Sequence, residues 1–200
     1  MTRETATRLS ARERREQLLD AAKAIVVADG FHAVSIEAVA RGAGITRPVV
    51  YGHFHDLPGL LEALIEREAE RALRQLAAVL PADFAAGPLN RLLLGAFEGY
   101  LRAVESDPDT WRLVLMPPEG APASLREQIA RGRDAVVAHL ADAVRPGLAP
   151  GREPPDPELA ARALSALADE AARLLLTDPE RHPVERLLRL GEWLLDGLAA

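Results

Sequence analysis

Five polar side chains between residues 35 and 53 are of types that contact a nucleic-acid duplex: Ser35, Thr46, Arg47, Tyr51 and His53. An arginine at the start of a helix can donate two hydrogen bonds to the O6 and N7 atoms of a guanine. Hydroxyl groups at helix starts lie among free N–H groups that attract phosphate, which suits Ser35 and Thr46. Tyr51 and His53 can donate hydrogen bonds to phosphates. The group therefore predicts a surface that reads DNA.

Two short helices are predicted to position these side chains, one over residues 36–42 and one over residues 47–53. Ser35 and Thr46 are the expected N-caps of the two helices. Between the helices, Gly44 allows the turn a conformation that a side chain would resist. Two short helices joined by such a turn indicate a helix-turn-helix, whose second helix projects its outer face toward a major groove.

The second of these helices also carries apolar residues. Pro48 falls in its first turn, where a missing N–H costs little. Val49 has no polar group, so it can only touch a thymine methyl group or line the groove. Val50 is predicted to fill the core between the two helices. The candidate DNA-binding residues are therefore Ser35, Thr46, Arg47, Pro48, Val49, Tyr51 and His53.

The whole chain has the pattern of an all-α protein. Apolar residues recur at spacings of three and four, without a convincing alternation typical of strands. Proline and glycine separate the segments, and the stretch 146–157 has the composition of a flexible surface loop. About nine helices are expected; those after the helix-turn-helix run from Asp56 to about Leu80 and over about 89–105, 108–116, 123–145, 157–177 and 184–198.

Charge is unevenly distributed along the 200 residues, which have a formal net charge of −6. Residues 1–60 carry eight Lys and Arg against seven Asp and Glu, whereas the remaining residues carry sixteen against twenty-three. Five arginines fall within the first fifteen residues. This distribution lets a polyanion approach the N-terminal end while the rest repels it. We expect a flexible basic arm over 1–15, a DNA-binding domain over 16–57 and a second domain over 58–200.

Residues 12–65 together resemble the N-terminal DNA-binding domain of the TetR family of bacterial repressors. The resemblance implies an all-helical homodimer that binds palindromic operator DNA, with a divergent C-terminal domain for dimerisation and for a small-molecule effector. We therefore expect a ligand-responsive transcriptional regulator whose ligand-free dimer represses. The motifs that carry the resemblance are Asp29-Gly30-Phe31, Ser35-Ile36, Ala38-Val39-Ala40, Gly44-Ile45-Thr46-Arg47 and Val50-Tyr51-Gly52-His53-Phe54.

Two positions depart from the family pattern. The family usually has a phosphate-contacting lysine three residues after the phenylalanine of Tyr-x-x-Phe, and Leu57 occupies that place. A threonine is frequent where Val49 stands. These departures and the small local charge leave an alternative open, namely a helical interaction or ligand-binding protein that has lost specific DNA binding. A steep fall in DNA affinity with salt separates the two, because neutralising phosphates releases counterions.

Two apolar stripes in the last two helices suit an interface with a second copy of the chain. The family resemblance implies that these helices form a four-helix bundle with their twins across a two-fold axis. A protein that binds a two-fold symmetric DNA site needs two DNA-binding domains. The same stripes would also suit the core of a monomer. The expected interface residues are Leu164, Leu167, Ala171, Leu187, Leu190 and Leu194.

Large and polar side chains in the second domain are candidates for the ligand pocket that the resemblance implies. The few large residues in an alanine- and leucine-rich background suit the lining of such a pocket, although they also suit an ordinary core. The polar candidates also suit surface ion pairs. The candidates are Phe97, Tyr100, Trp111, Met116, His139, Asp169 and Arg173, with Phe84 and Glu170 as further members. Asp107, which precedes Pro108, is expected to cap the helix that contains Trp111.

Several classes of function are excluded or disfavoured. The chain has no cysteine, which excludes disulfides, thiolate metal sites and cysteine nucleophiles. No apolar run is long enough to span a membrane, and the charged N-terminus lacks the apolar core of a secretory signal, so we expect a cytoplasmic protein. There is no glycine-rich phosphate loop or G-x-S-x-G motif, and His53 and His55 lack carboxylates suited to a metal site. We therefore expect neither an enzyme nor a cofactor.

Overall fold

The computed structural model describes residues 9–118, 120–147, 151 and 153–199. Within these ranges the chain forms nine α-helices and no strand, which confirms the all-α prediction. Short 3₁₀ turns occur at Phe31–Ala33 and Phe84–Ala86. The helices are α1 (Ala11–Asp29), α2 (Ile36–Gly42), α3 (Arg47–His53), α4 (Leu57–Val79), α5 (Leu89–Ser106), α6 (Pro108–Leu115), α7 (Ala123–Val144), α8 (Pro157–Thr177) and α9 (Val184–Ala199).

The described residues divide into two compact units. The first, which we call the head, contains α1–α3, α4 as far as Arg67, and the segment Pro118–Ser124. The second unit contains Glu68–Pro117 and the chain from Leu125 onwards. The division therefore falls inside α4, and not at residue 57, where the sequence pattern suggests it. Part of the predicted loop 146–157 lies outside the described residues.

A capping box fixes the start of α1. The Ser10 hydroxyl oxygen accepts a hydrogen bond from the Glu13 N–H at 3.2 Å, and the Glu13 carboxylate accepts one from the Ser10 N–H at 2.8 Å. Residues 11–15 are consequently helical, which corrects their assignment to a flexible arm. Arg15 lies over the Phe54 ring, 5.2 Å from its centroid. The arginines at positions 3 and 8 lie outside the described residues.

The head has a filled apolar core. Leu18, Leu19 and Val26 of α1 are completely buried, as are Val39 of α2 and Val50 of α3. Two polar side chains complete this packing. The Gln17 side chain donates to the Ala43 carbonyl oxygen at 3.1 Å, and Arg67 donates to Glu16 and Asp20 at 3.0 and 2.9 Å. Both side chains hold α1 against the segments that follow it.

The second unit has two apolar clusters that share α5. One cluster surrounds Leu101 and Trp111, and the other surrounds Leu93, Leu140 and Leu195. Glycines allow two close approaches to α5. A Cβ atom on Gly99 would lie 2.8 Å from the Val79 Cβ, and one on Gly191 would lie 2.9 Å from the Phe97 ring. Small residues therefore set how closely α4 and α9 pack on α5.

Candidate functional site

The turn between α2 and α3 has the geometry of a helix-turn-helix. Gly44 adopts a positive φ of 66°, which favours glycine. The Ile45 N–H donates to the Ala40 carbonyl oxygen at 2.9 Å, which closes the turn. Val50 is completely buried. Because a buried Val50 fixes the rotation of α3, the neighbouring side chains must point outward.

The outer face of α3 brings the predicted DNA-binding side chains together. Arg47 and Pro48 are exposed at its start, Val49 and Tyr51 are 39% and 55% exposed, and His53 at its end is half-buried. Within the described part of the chain, the Arg47 side chain forms no hydrogen bond and no ion pair. Its guanidinium donors are therefore available to a ligand.

The two predicted N-cap residues behave differently. The Ser35 hydroxyl oxygen accepts a hydrogen bond from the Ala38 N–H at 3.1 Å, as the sequence predicts. Thr46 occupies the N-cap position of α3, but its side chain makes no capping hydrogen bond. Pro48 lies in the first turn of α3, where it lacks an N–H to donate. Thr46 therefore keeps an exposed hydroxyl that is not engaged in capping.

The second unit contains a cavity of about 1010 Å³. Its walls come from α4 to α9 and from residues of the loop that precedes α8. Most of the lining side chains are aliphatic, including Leu73 and Leu76 of α4 and Ile129 and Val136 of α7. Of the pocket residues predicted from the sequence, Phe97, Tyr100, Trp111 and Asp169 line this cavity.

One side of the cavity is polar. The Tyr100 hydroxyl donates to Asp169 Oδ1 at 3.3 Å, and Arg133 Nη2 donates to Asp169 Oδ2 at 2.7 Å. Burial, reinforced by the negative charge of Asp169, holds the pKa of Tyr100 well above its ordinary value. Tyr100 therefore stays protonated and acts as a donor. Its ring meets Trp111 edge-on, with the centroids 5.1 Å apart.

A buried polar network that the sequence reasoning missed lies beside Trp111. The Thr110 hydroxyl is within hydrogen-bond distance of Glu68 at 2.5 Å and of Asp107 at 3.0 Å, and all three residues are buried. Arg71 and Gln75 of α4 also donate to Asp107. The expected cap at Asp107 is therefore corrected, because its carboxylate is held by α4 and makes no capping bond to α6. The spacing of residues 68, 71 and 75 on one helical face was the available signal.

Comparisons with known proteins agree with this geometry. Residues 18–64 match the family model described as bacterial regulatory proteins, tetR family. The chain also resembles a TetR-like transcriptional regulator from Rhodococcus sp. RHA1, with a TM-score of 0.76, 25% identity and coverage of 94% of this chain and 96% of that one. The chain therefore contains a DNA-binding domain of the tetR family type over residues 18–64.

Two curated relatives match over shorter stretches. The HTH-type transcriptional activator FasR of Mycolicibacterium smegmatis is 31% identical over 108 residues, which are 54% of this chain and 48% of FasR. The uncharacterized HTH-type transcriptional regulator TtgW of Pseudomonas putida is 38% identical over 65 residues, or 32% and 47% of the two chains. The chain thus spans about half the length of the curated relatives it matches.

Three of the predicted pocket residues lie outside the lining of this cavity. Met116 follows the end of α6 and is 43% exposed. His139 Nε2 is 2.9 Å from the Pro81 carbonyl oxygen, and its ring packs on Phe84, which also lies outside the lining. The Arg173 side chain donates a hydrogen bond to the Glu170 carboxylate at 3.1 Å.

Of the residues predicted to form the dimer interface, some lie in the core of the second unit and others lie on its surface. Leu187 is 5% exposed and belongs to the core of the second unit, which corrects its assignment to an interface. Ala171, Leu164 and Leu194 are half-buried, and the first two pack against the apolar clusters. The exposed apolar face consists of Leu159, Leu167, Leu190 and Trp193, each more than half exposed. All six predicted residues and Trp193 also line the cavity.

Neither a membrane-spanning helix nor a metal-binding cluster is found within the described ranges. No helix there is long and apolar enough to cross a membrane. No group of three or more His, Cys, Asp or Glu side chains in the same ranges has the geometry to hold a metal ion.

Proposed function

We propose that the chain is a ligand-responsive transcriptional repressor that binds palindromic operator DNA as a homodimer. The observation that carries this proposal is the outer face of α3, where Arg47 is exposed and has no partner within the described residues. An exposed recognition helix on a filled core is the arrangement with which helix-turn-helix proteins enter a major groove. The match of residues 18–64 to the tetR family model and the likeness to a TetR-like regulator support the same conclusion.

Each exposed side chain of this surface has a proposed partner on the duplex. Arg47 reads a guanine through two hydrogen bonds, and Val49 contacts a thymine methyl group or the wall of the groove. Tyr51 and His53 donate to phosphates. The exposed hydroxyls of Ser35 and Thr46 contribute further phosphate contacts, while Pro48 shapes the start of α3. Leu57 offers no charge at the place of the usual family lysine, so phosphate binding depends on the remaining contacts.

We propose that the exposed apolar face on α8 and α9 joins two copies of the chain. Leu167, Leu190 and Trp193 expose more than half of their surface, and such patches mark protein interfaces. A two-fold operator also needs two heads, which a symmetric dimer supplies.

Sedimentation at micromolar concentration tests this dimer. The native chain should sediment as a dimer, whereas Trp193→Glu should shift it toward the monomer by placing a charge in the interface. Glu192→Lys, a change at an exposed neighbour, is the matched control and should remain dimeric. A native chain that is entirely monomeric at that concentration would refute the dimer.

The cavity is the proposed site of a small-molecule effector. An effector can change operator affinity by no more than its own differential affinity for the two states of the protein. Helix α4, whose residues run from the head into the second unit, is one covalent connection between the two units. We propose repression by the ligand-free dimer in the cytoplasm, without a membrane partner, cofactor or enzymatic activity. Because FasR is named an activator, a reporter gene behind the operator must establish the sign of the response.

Selection of bound duplexes from a random DNA pool tests the central proposal. We expect the most enriched sequence to be palindromic, with half-sites about one helical turn apart. Its affinity should fall steeply between two salt concentrations, because each neutralised phosphate releases counterions. Failure to enrich any sequence, with and without cell extract as a source of effector, would instead support a helical protein that has lost specific DNA binding.

A further inference from the structure

We propose that the cavity of the second unit binds an uncharged, largely apolar ligand whose hydrogen-bond-accepting oxygen is held by Arg133. This inference rests on the proposed ligand response and specifies the chemical class of the effector.

The size and walls of the cavity define the body of the ligand. A volume of about 1010 Å³ lies at the upper end of the roughly 300–1,000 Å³ range of small-molecule sites. Leu73, Leu76, Phe97, Ile129 and Val136 give an apolar lining from three helices. A ligand that leaves water for this space gains most from apolar surface. Its body must therefore be large and mainly hydrocarbon.

The charges around the cavity favour a ligand without net charge. Three of the described lining residues are charged, namely Arg133, Glu153 and Asp169. Glu153 is exposed on the loop before α8, so solvent screens it. Arg133 and Asp169 neutralise each other at 2.7 Å. A ligand carboxylate would meet the negative charge of Asp169, and a ligand ammonium group would meet the positive charge of Arg133.

The hydrogen bonds of this pair specify an acceptor on the ligand. Both carboxylate oxygens of Asp169 already accept hydrogen bonds, one from Tyr100 and one from Arg133. A guanidinium group has five N–H donors, and the bond to Asp169 is the only hydrogen bond of Arg133 within the described residues. Among the protein groups at the polar side, donors therefore outnumber acceptors, and water reaches the spare N–H groups of Arg133, whose side chain is 43% exposed. A hydroxyl, ether or carbonyl oxygen of the ligand can take the place of that water as the acceptor.

Calorimetric titration of the full-length chain with three matched probes tests this inference. The probes are decanol, decanoate and decylammonium, each below its aggregation concentration and without DNA. We expect decanol to bind at least about tenfold more tightly than either charged homologue, a difference of about 1.4 kcal/mol. Equal or tighter binding of a charged probe, or no binding of any of the three, would overturn the inference.

Variants locate the binding site. Arg133→Gln should weaken decanol binding at least fivefold, whereas Arg131→Gln, an exposed change on the same helix, should leave it unchanged. Ile129→Trp fills part of the cavity and should abolish binding in a protein that still unfolds cooperatively. Retained decanol binding in both Arg133→Gln and Ile129→Trp would contradict the assignment. Because no DNA is present, this result stands apart from the operator selection, and either can fail alone.

Discussion

The head and the second unit present their functional groups in opposite ways. In the head, Leu18, Val39 and Val50 fill the core completely, and the residues proposed to contact DNA lie outside on α3. In the second unit, six helices border a cavity that opens to the surface, and the residues proposed to bind ligand line it. The first arrangement suits a large and rigid partner such as a duplex. The second suits a small molecule that must be taken out of water.

The two sites also differ in how far apart their residues lie in the sequence. The candidate DNA-binding residues all lie between positions 35 and 53, within two helices and one turn. The cavity draws on residues from Ala69 to Gly197. A site built from neighbouring residues leaves a pattern in the sequence, whereas a site built from six helices depends on how those helices pack.

The largest expected difference between the two units is in the stability that each loses when a leucine is truncated to alanine. Leu18→Ala in the head should cost about 2–5 kcal/mol of unfolding free energy, because it opens a new cavity in a filled core. Leu76→Ala should cost less than about 2 kcal/mol, because its side chain already borders an open cavity. Urea titrations measure both. A larger cost at Leu76 would show that the second unit is packed as tightly as the head.

Removal of the exposed arginine of α3 should affect DNA binding without affecting stability. Arg47→Ala should weaken binding by about 1–3 kcal/mol and relax the preference at one base pair. Arg74→Ala, at an exposed arginine of the second unit, is the matched control and should bind DNA as the native chain does. A panel of operator variants measures the preference. An unchanged preference at every position would remove Arg47 from base readout.

Two glycines of α5 should respond in opposite directions to substitution by alanine. Gly99→Ala should destabilise the second unit by about 1–3 kcal/mol, because its Cβ would lie 2.8 Å from the Val79 Cβ. Gly95→Ala meets no atom within 4 Å and should stabilise the helix by about 0.5–1 kcal/mol. Thermal unfolding of the two variants measures these shifts. Equal effects would mean that α4 moves aside at no cost.

The two predicted caps provide a smaller test within the head. Ser35→Ala removes the hydrogen bond from the Ala38 N–H and should cost about 1 kcal/mol of stability. Thr46→Ala removes no capping bond and should leave stability nearly unchanged. If Thr46 contacts phosphate as proposed, its substitution should still weaken DNA binding. Urea titration and DNA titration of the same two variants separate the structural role from the binding role.

The ionisation of Tyr100 should affect the stability of the folded chain only at alkaline pH. Burial and the charge of Asp169 raise the pKa of Tyr100 well above 10.0 in the folded chain. In the unfolded chain Tyr100 loses its proton near its ordinary pKa, so stability is intact below about pH 10 and falls as the pH rises further. Tyr100→Phe should reduce this alkaline loss. Tyr51→Phe, at the exposed tyrosine of the head, should retain it in the same pH-dependent unfolding measurement.

The parts of the fold that local chemistry determines follow directly from the sequence. The bounds of α2 and α3 coincide with the prediction, because Ser35, Gly44 and Pro48 act on their immediate neighbours. The start of α1 departs from it, because the capping box of Ser10 and Glu13 begins the helix at Ala11.

Tertiary packing accounts for the remaining differences. Leu187 and Leu190 belong to the same periodic stripe, yet one is 5% and the other 53% exposed. Periodicity identifies the apolar face of α9 but not which part of it packs against α5. Asp107 likewise has the sequence position of a cap, and the buried network with α4 uses its carboxylate instead.

The chain contains two tryptophans, and their placement gives each a separate spectroscopic role. Trp111 is 1% exposed beside Tyr100 and lines the cavity, whereas Trp193 is 70% exposed on the apolar face of α9. The indole of Trp111 should emit at short wavelength and that of Trp193 at long wavelength. The chain therefore carries two intrinsic fluorophores that both border the cavity, and only that of Trp193 also reports coverage of the face.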